Sequence, residues 1–345
     1  MNKIIDVRSD TVTLPTPEMY DAMAHAVCGD DVYEDDLTVK ELEQLAADVT
    51  GKEAGLFVVS GTFGNQLAIF THCERGDELI VGQNSHIMAH EVGGAAVIAG
   101  VATRDIPTEY GFMDPKLIEE RIRKTDNIHY PKTGLIAIEN AQADGTVMTV
   151  ENMASIKKIA EHYGIPVHMD GARLFNAAES LNVDVKIIAG FADSIMFCVS
   201  KGLAAPIGSL LVGTKEFIEK ARKKRKLLGG GLRQAGVLAA PGIIAIKEMS
   251  KRLGNDHDNA KRLANLLDEI PGVCVDKKRL LINMVYFTIK IEKEEELIEK
   301  MRKRGIQMCA SENGEFRMVT NYMVTSEDVD YIAKSLEEIL KAEEK

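Results

Sequence analysis

The sequence has 345 residues, enough to bury a large core in one or two domains. It is 45% hydrophobic and 28% charged, and 42 basic against 53 acidic residues leave a net charge of −11, which argues against a polyanion as partner. Trp is absent and aromatics make up 5%, which removes the stacking platform that single-stranded nucleic acid requires. Cys28, Cys73, Cys198, Cys274 and Cys309 are scattered with no CxxC pair, the pattern of reduced thiols rather than a disulfide framework or zinc site. The start, MNKIIDVRSDTVTLP, lacks the apolar core of a signal peptide, and no run reaches the roughly 20 apolar residues that cross a bilayer. A cytoplasmic protein with neither nucleic acid nor membrane as partner is expected.

Along the chain, Thr16-Pro17 sets a cap residue before a proline at the first helical position. Thr38 with Glu41 matches a capping box and predicts the helix KELEQLAADVT, stopping at Gly51. GLFVV at 55–59 reads as a strand and SGTFGNQLAIF as a helix. Strands are then expected at 78–82, 97–101, from 135, and at 165–170, 194–200 and 209–213, with a helix after Glu151. Unbroken apolar strands alternating with helices indicate a mostly parallel α/β sheet covered on both faces. Beyond about 250 the texture changes to a helix, the strand NMVYFTI, a charged helix, the strand EFRMVT and a terminal helix from Ser326. Residues 1–250 are thus expected to form a large α/β domain with an N-terminal arm. Residues 251–345 should form a small α+β domain packed with that arm.

In an open parallel sheet, ligands sit beyond the carboxyl ends of the strands. Lys201 ends SIMFCVSK, where apolar surroundings favour the neutral amine that forms a Schiff base. Alone, it reads as a lysine reaching solvent. Asp170 ends IPVHMD, and a carboxylate there can keep a pyridine nitrogen protonated; alone, it equally reads as a helix cap. Ser60-Gly61-Thr62 stands between strand and helix, where small residues let N–H groups approach a phosphate. Neither GxxxxGKS nor GxGxxG is present. Together the three supply the parts of a pyridoxal-phosphate site.

The segments DVRSDTVTLPTPEM, GDDVYEDD, VSGTFGNQ, NSHIMAHE, HMDGARLFNA, FCVSKGLAAPIGS and KLLGGGLRQAGVLAA resemble the low-specificity L-threonine aldolase family of the β-eliminating lyase group. The likeness runs from about residue 4 to 250 and thins beyond it. It implies the aspartate-aminotransferase-like fold type I with a mostly parallel seven-stranded sheet, and pyridoxal 5′-phosphate as cofactor. It further implies retro-aldol cleavage of threonine, allo-threonine and related β-hydroxy amino acids. Carried over position by position, Lys201 matches the Schiff-base lysine, Asp170 the pyridinium partner, and Gly61 with Thr62 the phosphate cradle. His86 resembles the histidine that stacks on the ring, and His129 a second histidine near the substrate hydroxyl; both are candidate bases. Ser9, Arg173 and Arg317 match residues that grip the substrate carboxylate, a task suited to the planar guanidinium fork. Tyr33, Lys226 and Arg233 match residues of a site shared between subunits, with Lys226 and Arg233 reaching the neighbour's phosphate. A homotetramer built as a dimer of dimers is therefore implied.

One stretch departs from the family pattern. Ala141-Gln142-Ala143 stands where the family usually has Thr-His-Asn, which bears on substrate choice. His86 and His90 have the i, i+4 spacing of zinc ligands, but without HExxH or an evident third ligand no metal is expected. His25, His72, His162 and His257 read as surface or helix-end residues, and His168 as structural. The basic run KARKKRK at 220–226 reads as a solvated or intersubunit helix face, with a turn at Gly229–Gly231 where another backbone or a phosphate comes close. Two alternatives remain. One is another pyridoxal-phosphate reaction, β-elimination or racemisation; the other is a non-catalytic vitamin-B6-binding regulator.

Overall fold

Apolar runs with no polar face need cover on both sides, and the chain provides it in two helical layers. A computed structural model describes residues 3–343. One seven-stranded sheet has the order Ala54–Val58, Ser209–Gly213, Ser194–Cys198, Val167–Asp170, Thr133–Glu139, Glu78–Gly82 and Ala102–Ile106. From Ser194–Cys198 to Ala102–Ile106 the neighbours are parallel. Ser209–Gly213 runs antiparallel to both of its neighbours, a reversal that an apolar run does not signal.

Successive side chains in a strand point to opposite faces, so each strand feeds two cores. Phe57, Ile80, Ile138, Met169 and Phe197 pack into one. Leu56, Val58, Met196 and Cys198 pack into another with the helices Gly61–His72 and Lys215–Leu227. The C-terminal part has a three-stranded antiparallel sheet of Val273–Val275, Met284–Ile289 and Phe316–Val319. Helices Leu253–Asp268, Glu294–Lys303 and Ser326–Glu343 accompany it. The N-terminal arm joins this part: Ile5–Asp6 pairs with Ile306–Gln307, and Ile5 and Val7 enter its core.

Two local expectations are corrected. The run 97–101 is no strand: Ala95–Ala99 is a π-helical turn closed by Gly100 in the left-handed region, at φ 69°. Its apolar residues Ala95, Ala99 and Val101 pack behind the sheet, while the edge strand Ala102–Ile106 is mostly solvent-facing and reads as polar. The helix Leu37–Thr50 starts earlier than the capping box suggests, with Asp36 as its cap. Asp36 is buried and accepts from the N–H groups of Val39 (3.0 Å), Gly29 (3.1 Å) and Gly236 (2.7 Å). Thr38 instead donates to the carbonyl of Val27.

Asp36→Ala would leave three N–H groups without this acceptor and is expected to destabilise the fold by about 2–4 kcal/mol. Thr38→Ala should cost no more than about 1 kcal/mol. Denaturant unfolding of the two variants checks the order; equal losses would restore Thr38 as the cap.

Candidate active site

The topology brings the carboxyl ends of several strands together. Ser60 caps the helix Gly61–His72 just past Ala54–Val58, with its hydroxyl accepting from the N–H of Phe63. Asp170 and Glu139 end their own strands, and Lys201 follows Ser194–Cys198 by three residues. These elements enclose a cleft of about 360 Å³ lined by Ser60, Gly61, Thr62, His86, Asp170, Arg173 and Lys201, among others. A larger, more open hollow of about 750 Å³ beside Phe175, Glu179 and Lys186 contains none of these groups.

Asp170 is 1% exposed. Its carboxylate accepts from the Asn65 side-chain amide at 2.7 Å and the Ala172 N–H at 3.0 Å. Burial pushes its pKa up, the charge of Lys201 opposes that rise, and Glu91 adds to it. His86 is half-buried, and its Nδ1 lies 2.8 Å from Glu91 Oε1. Its pKa is raised, first by the hydrogen bond to Glu91; burial opposes this, while the charge of Asp170 adds to it. Glu139 accepts from the backbone N–H groups of His86 and Ala143, each at 2.7 Å, so one carboxylate ties two walls of the cleft together. Burial and the neighbouring charge of Asp170 push the Glu139 pKa up.

Arg173 is buried and its fork closes on Asp10, with Nε 2.8 Å from Oδ2 and Nη2 2.6 Å from Oδ1. Asp10 is pulled below the usual carboxylate range, its burial outweighed by the charge and hydrogen bond of Arg173 and by other partners. Ser9 accepts from the Thr11 N–H, and Thr13 donates to the Lys201 carbonyl at 2.8 Å, which lashes the arm to the cleft. Arg317 pairs across the small sheet with Tyr286, whose hydroxyl donates to the carbonyl of Ala143, a cleft residue.

Six expected site residues, Ser9, Arg317, His129, Tyr33, Lys226 and Arg233, are not among those that line the cleft of this chain. His129 is exposed on the loop before Thr133–Glu139, and its backbone N–H donates to the side-chain Oδ1 of Asn127 at 2.9 Å. Tyr33 is 78% exposed, Arg233 pairs with Asp30 at 2.8 Å, and Lys226 is exposed at the end of Lys215–Leu227. The basic run is not uniformly a solvated face: Arg225, 2% exposed in its side chain, pairs with Asp31 and donates to the carbonyl of Phe57. The turn at Gly229–Gly231 approaches Phe63, Val32 and Lys226 of its own chain.

Asn65, Glu91, Glu139 and Asp10 were not singled out in the sequence. A charged residue closing LIAIE is a visible hint for Glu139. Glu91 carries no hint, since nothing local shows that it is buried. His86, Glu91 and Asp170 bring atoms of metal-ligating type within 4.8 Å of one another, but hydrogen bonds from Asn65, Gln66 and His86 already engage the carboxylates.

Three histidines correct or sharpen the expectations. His257 is buried against Asn176, and His72 is half-buried, stacked on Phe217 with ring centroids 4.4 Å apart. His168 is fully buried between Ser194 and Asn65. Burial lowers His168 to about 3, and His72 and His257 to about 4. The unfolded chain therefore binds more protons than the folded one below the ordinary histidine pKa of about 6.5. Their contribution to stability is complete above about pH 6.5 and is lost as pH falls toward 4. His168→Gln should flatten the decline in unfolding free energy between about pH 6.5 and 4.5 by up to one proton. The comparison with wild type isolates the histidine from Asp256 and Glu139, whose raised values act in the opposite sense. An unchanged slope would contradict the assignment.

The cleft suits a planar pyridine ring carrying a phosphate. Asp170 offers a buried carboxylate whose raised pKa calls for a positive partner, as a protonated ring nitrogen is. The N-terminus of the 12-residue helix Gly61–His72 opens into the same space. A Cβ on Gly61 would stand 2.9 Å from Cys198 Sγ, so the backbone at the mouth of the helix approaches without a side chain. Residues 6–290 match the model of the beta-eliminating lyase family. Low-specificity L-threonine aldolase 1 of Arabidopsis thaliana is 41% identical over 335 residues, 95% of this chain and 94% of that protein. The low specificity L-threonine aldolase of Escherichia coli is 40% identical over 331 residues, 96% and 97% respectively. In fold, a threonine aldolase structure from Leishmania major superposes with a TM-score of 0.83 at 19% identity, covering 97% of this chain and 99% of that one. The chain belongs to the beta-eliminating lyase family, in the branch that contains the low-specificity L-threonine aldolases.

Proposed function

We propose that this protein cleaves L-threonine, L-allo-threonine and related β-hydroxy amino acids to glycine and an aldehyde, using pyridoxal phosphate. The observation that carries the reading is the convergence of Lys201, Asp170, the Ser60–Thr62 helix mouth, His86 and Arg173 on one cleft. When bound, the cofactor supplies an electron sink for the breaking Cα–Cβ bond.

The chain's own groups have separable tasks in this reading. Lys201 would provide the amine that holds the cofactor. Asp170 keeps the ring nitrogen protonated, and the N–H groups of Gly61 and Thr62 receive the phosphate. Arg173, gripped by Asp10 along one edge, presents its remaining N–H groups to the substrate carboxylate, with Ser9 and Arg317 completing the grip. That grip would fix the orientation of the substrate in the cleft. With Nδ1 of His86 turned to Glu91, Nε2 is the nitrogen left to take the β-hydroxyl proton. His129, exposed and outside this cleft, suits a role near the substrate hydroxyl only where subunits meet.

The reading extends to assembly. Tyr33, Lys226 and Arg233 lie at the surface outside the cleft, as residues of a site shared between subunits would, and we place them at contacts of a homotetramer built from dimers. Cys28, Cys274 and Cys309 are exposed free thiols, which suits a reducing cytoplasm. A division near residue 250 into a cofactor-binding part, 1–250, and a smaller part, 251–345, belongs to the same reading. A separate core around Leu263, Phe287 and Leu336 supports it.

The test is to incubate holoenzyme with each β-hydroxy amino acid stereoisomer and quantify glycine and aldehyde. Pyruvate and ammonia instead would make it an eliminating enzyme. Lys201→Ala should lose the visible absorbance of the lysine-bound cofactor and at least roughly 10²–10⁴-fold in kcat. Arg173→Lys should lower kcat/KM by roughly 10–100-fold, since an ammonium cannot reproduce the fork.

A further inference from the structure

The buried polar groups behind the cleft form a continuous hydrogen-bonded series whose proton positions can be worked out one after another. Asn65 Nδ2 lies 2.7 Å from Asp170 Oδ2 and 2.8 Å from Glu91 Oε1. A flipped amide would set its oxygen against two carboxylates, so the nitrogen must face them and give one hydrogen to each. Asn65 Oδ1 then faces His168 Nε2 at 3.2 Å, which makes Nε2 the protonated nitrogen. The Nδ1 of that neutral ring is an acceptor, and it takes the hydroxyl proton of Ser194 at 2.9 Å. Ser194 Oγ in turn accepts from His72 Nε2 at 2.8 Å. Every donor in the series His72, Ser194, His168, Asn65 therefore points toward the cleft.

The geometry has a sequence basis. Gly61, Asn65, Ala68 and His72 recur at the spacing of one helical face, and His168 and Asp170 lie on one face of their strand with Ser194 opposite His168. One helix thus carries the phosphate-facing N-terminus at one end and the first donor of the series at the other. Glu91 takes two further hydrogen bonds, from Gln66 Nε2 at 2.5 Å and from His86 Nδ1.

We propose that Asn65 is a positioning residue: its single amide nitrogen holds Asp170 and Glu91 together as acceptors, which aims one carboxylate at the cofactor ring and fixes the tautomer of His86 through the other. This rests on the proposed function for the cofactor's place, though not for the tautomer. The ring nitrogen and the base are then set by one side chain, and the donors behind it keep that side chain from flipping. Breaking the series at Ser194 lets His168 reverse its tautomer and withdraws the constraint on Asn65.

The test uses holoenzyme with ¹⁵N-labelled histidine, assigning His86 by its loss in His86→Gln. The first readout is the tautomer and titration of His86, which faces Glu91, Asp170 and Lys201, has Glu139 on its backbone and His90 beside its ring. The second is the dissociation constant of pyridoxal phosphate, followed by absorbance. Asn65→Ala should weaken cofactor binding roughly 10–100-fold, and the Nδ1–H form of His86 should lose its dominance. Gln66→Met, which touches Glu91 and not Asp170, should move His86 alone. Ser194→Ala should move both readouts in the direction of Asn65→Ala by a smaller factor, roughly 2–10-fold in affinity. A folded Asn65→Ala protein with both readouts within twofold of wild type, or with only one moved, overturns the proposal. If Asn65→Ala does not fold, an unmoved Ser194→Ala protein overturns it. Wild-type protein that takes up no pyridoxal phosphate would sink the proposed function, while the His86 tautomer would still judge Asn65.

Discussion

Removing a carboxylate from water costs several kcal/mol unless donors or opposite charge replace the lost hydration, and this chain removes several in one place. Asp170, Glu91 and Glu139 are all buried, Asp170 and Glu139 at the ends of parallel strands and Glu91 in the connection beyond the helix His86–Ala89. Each receives at least two hydrogen bonds from backbone or amide groups. These bonds replace part of the lost hydration without neutralising the charge. The remaining deficit shows as the raised pKa values of Asp170 and Glu139, and in the proposed reading a protonated ring nitrogen beside Asp170 would offset it.

The N-terminal arm answers a similar problem on the opposite wall. Asp10 is buried because Arg173 is buried, and each makes the other tolerable. The pair holds Arg173 in one position at the cleft wall, and in the proposed reading that ordering would lower the entropic cost of gripping a substrate carboxylate. Val7 donates to Gln307 and accepts from Val319, and Arg317 donates to the carbonyl of Arg8. Any motion of the C-terminal sheet would therefore carry the arm, Arg317 and the Lys201 loop together, because Thr13 binds the carbonyl of Lys201.

What the sequence made legible follows from locality. Strands 78–82 and 209–213 agree to the residue with the apolar runs, and Lys201, Asp170 and the Ser60–Thr62 turn stand at strand ends because apolar runs mark those ends. The edge strand Ala102–Ile106 was missed because an edge needs no apolar run on both faces, and the apolar residues beside it serve the helical layer. Asn65 and Glu91 were missed for a different reason. Their importance lies in partners 105 and 26 residues away along the chain, and neither a polar residue inside a helix, as Asn65 is, nor one in a bend, as Glu91 is, gives a sign of what it will face. His129, Tyr33, Lys226 and Arg233 came from resemblance alone, and a single chain leaves them at its surface.

The stretch Ala141-Gln142-Ala143, which lacks the polar side chains usual in the family, illustrates how a site can keep its frame while its lining changes. Glu139 holds the N–H of Ala143, and Tyr286 holds its carbonyl, so the main chain is fixed from both sides without help from the side chain. Ala141 is 1% exposed and contributes to the main core, while Gln142 is buried and closes its own turn through Thr146. Only Ala143 lines the cleft. A methyl group there leaves the backbone donors in place and removes one hydrogen-bonding partner from the wall. In the proposed reading, the frame that would order the cofactor is thereby separate from the wall that would meet the substrate, since the hydrogen bonds that fix this loop do not depend on the Ala143 side chain.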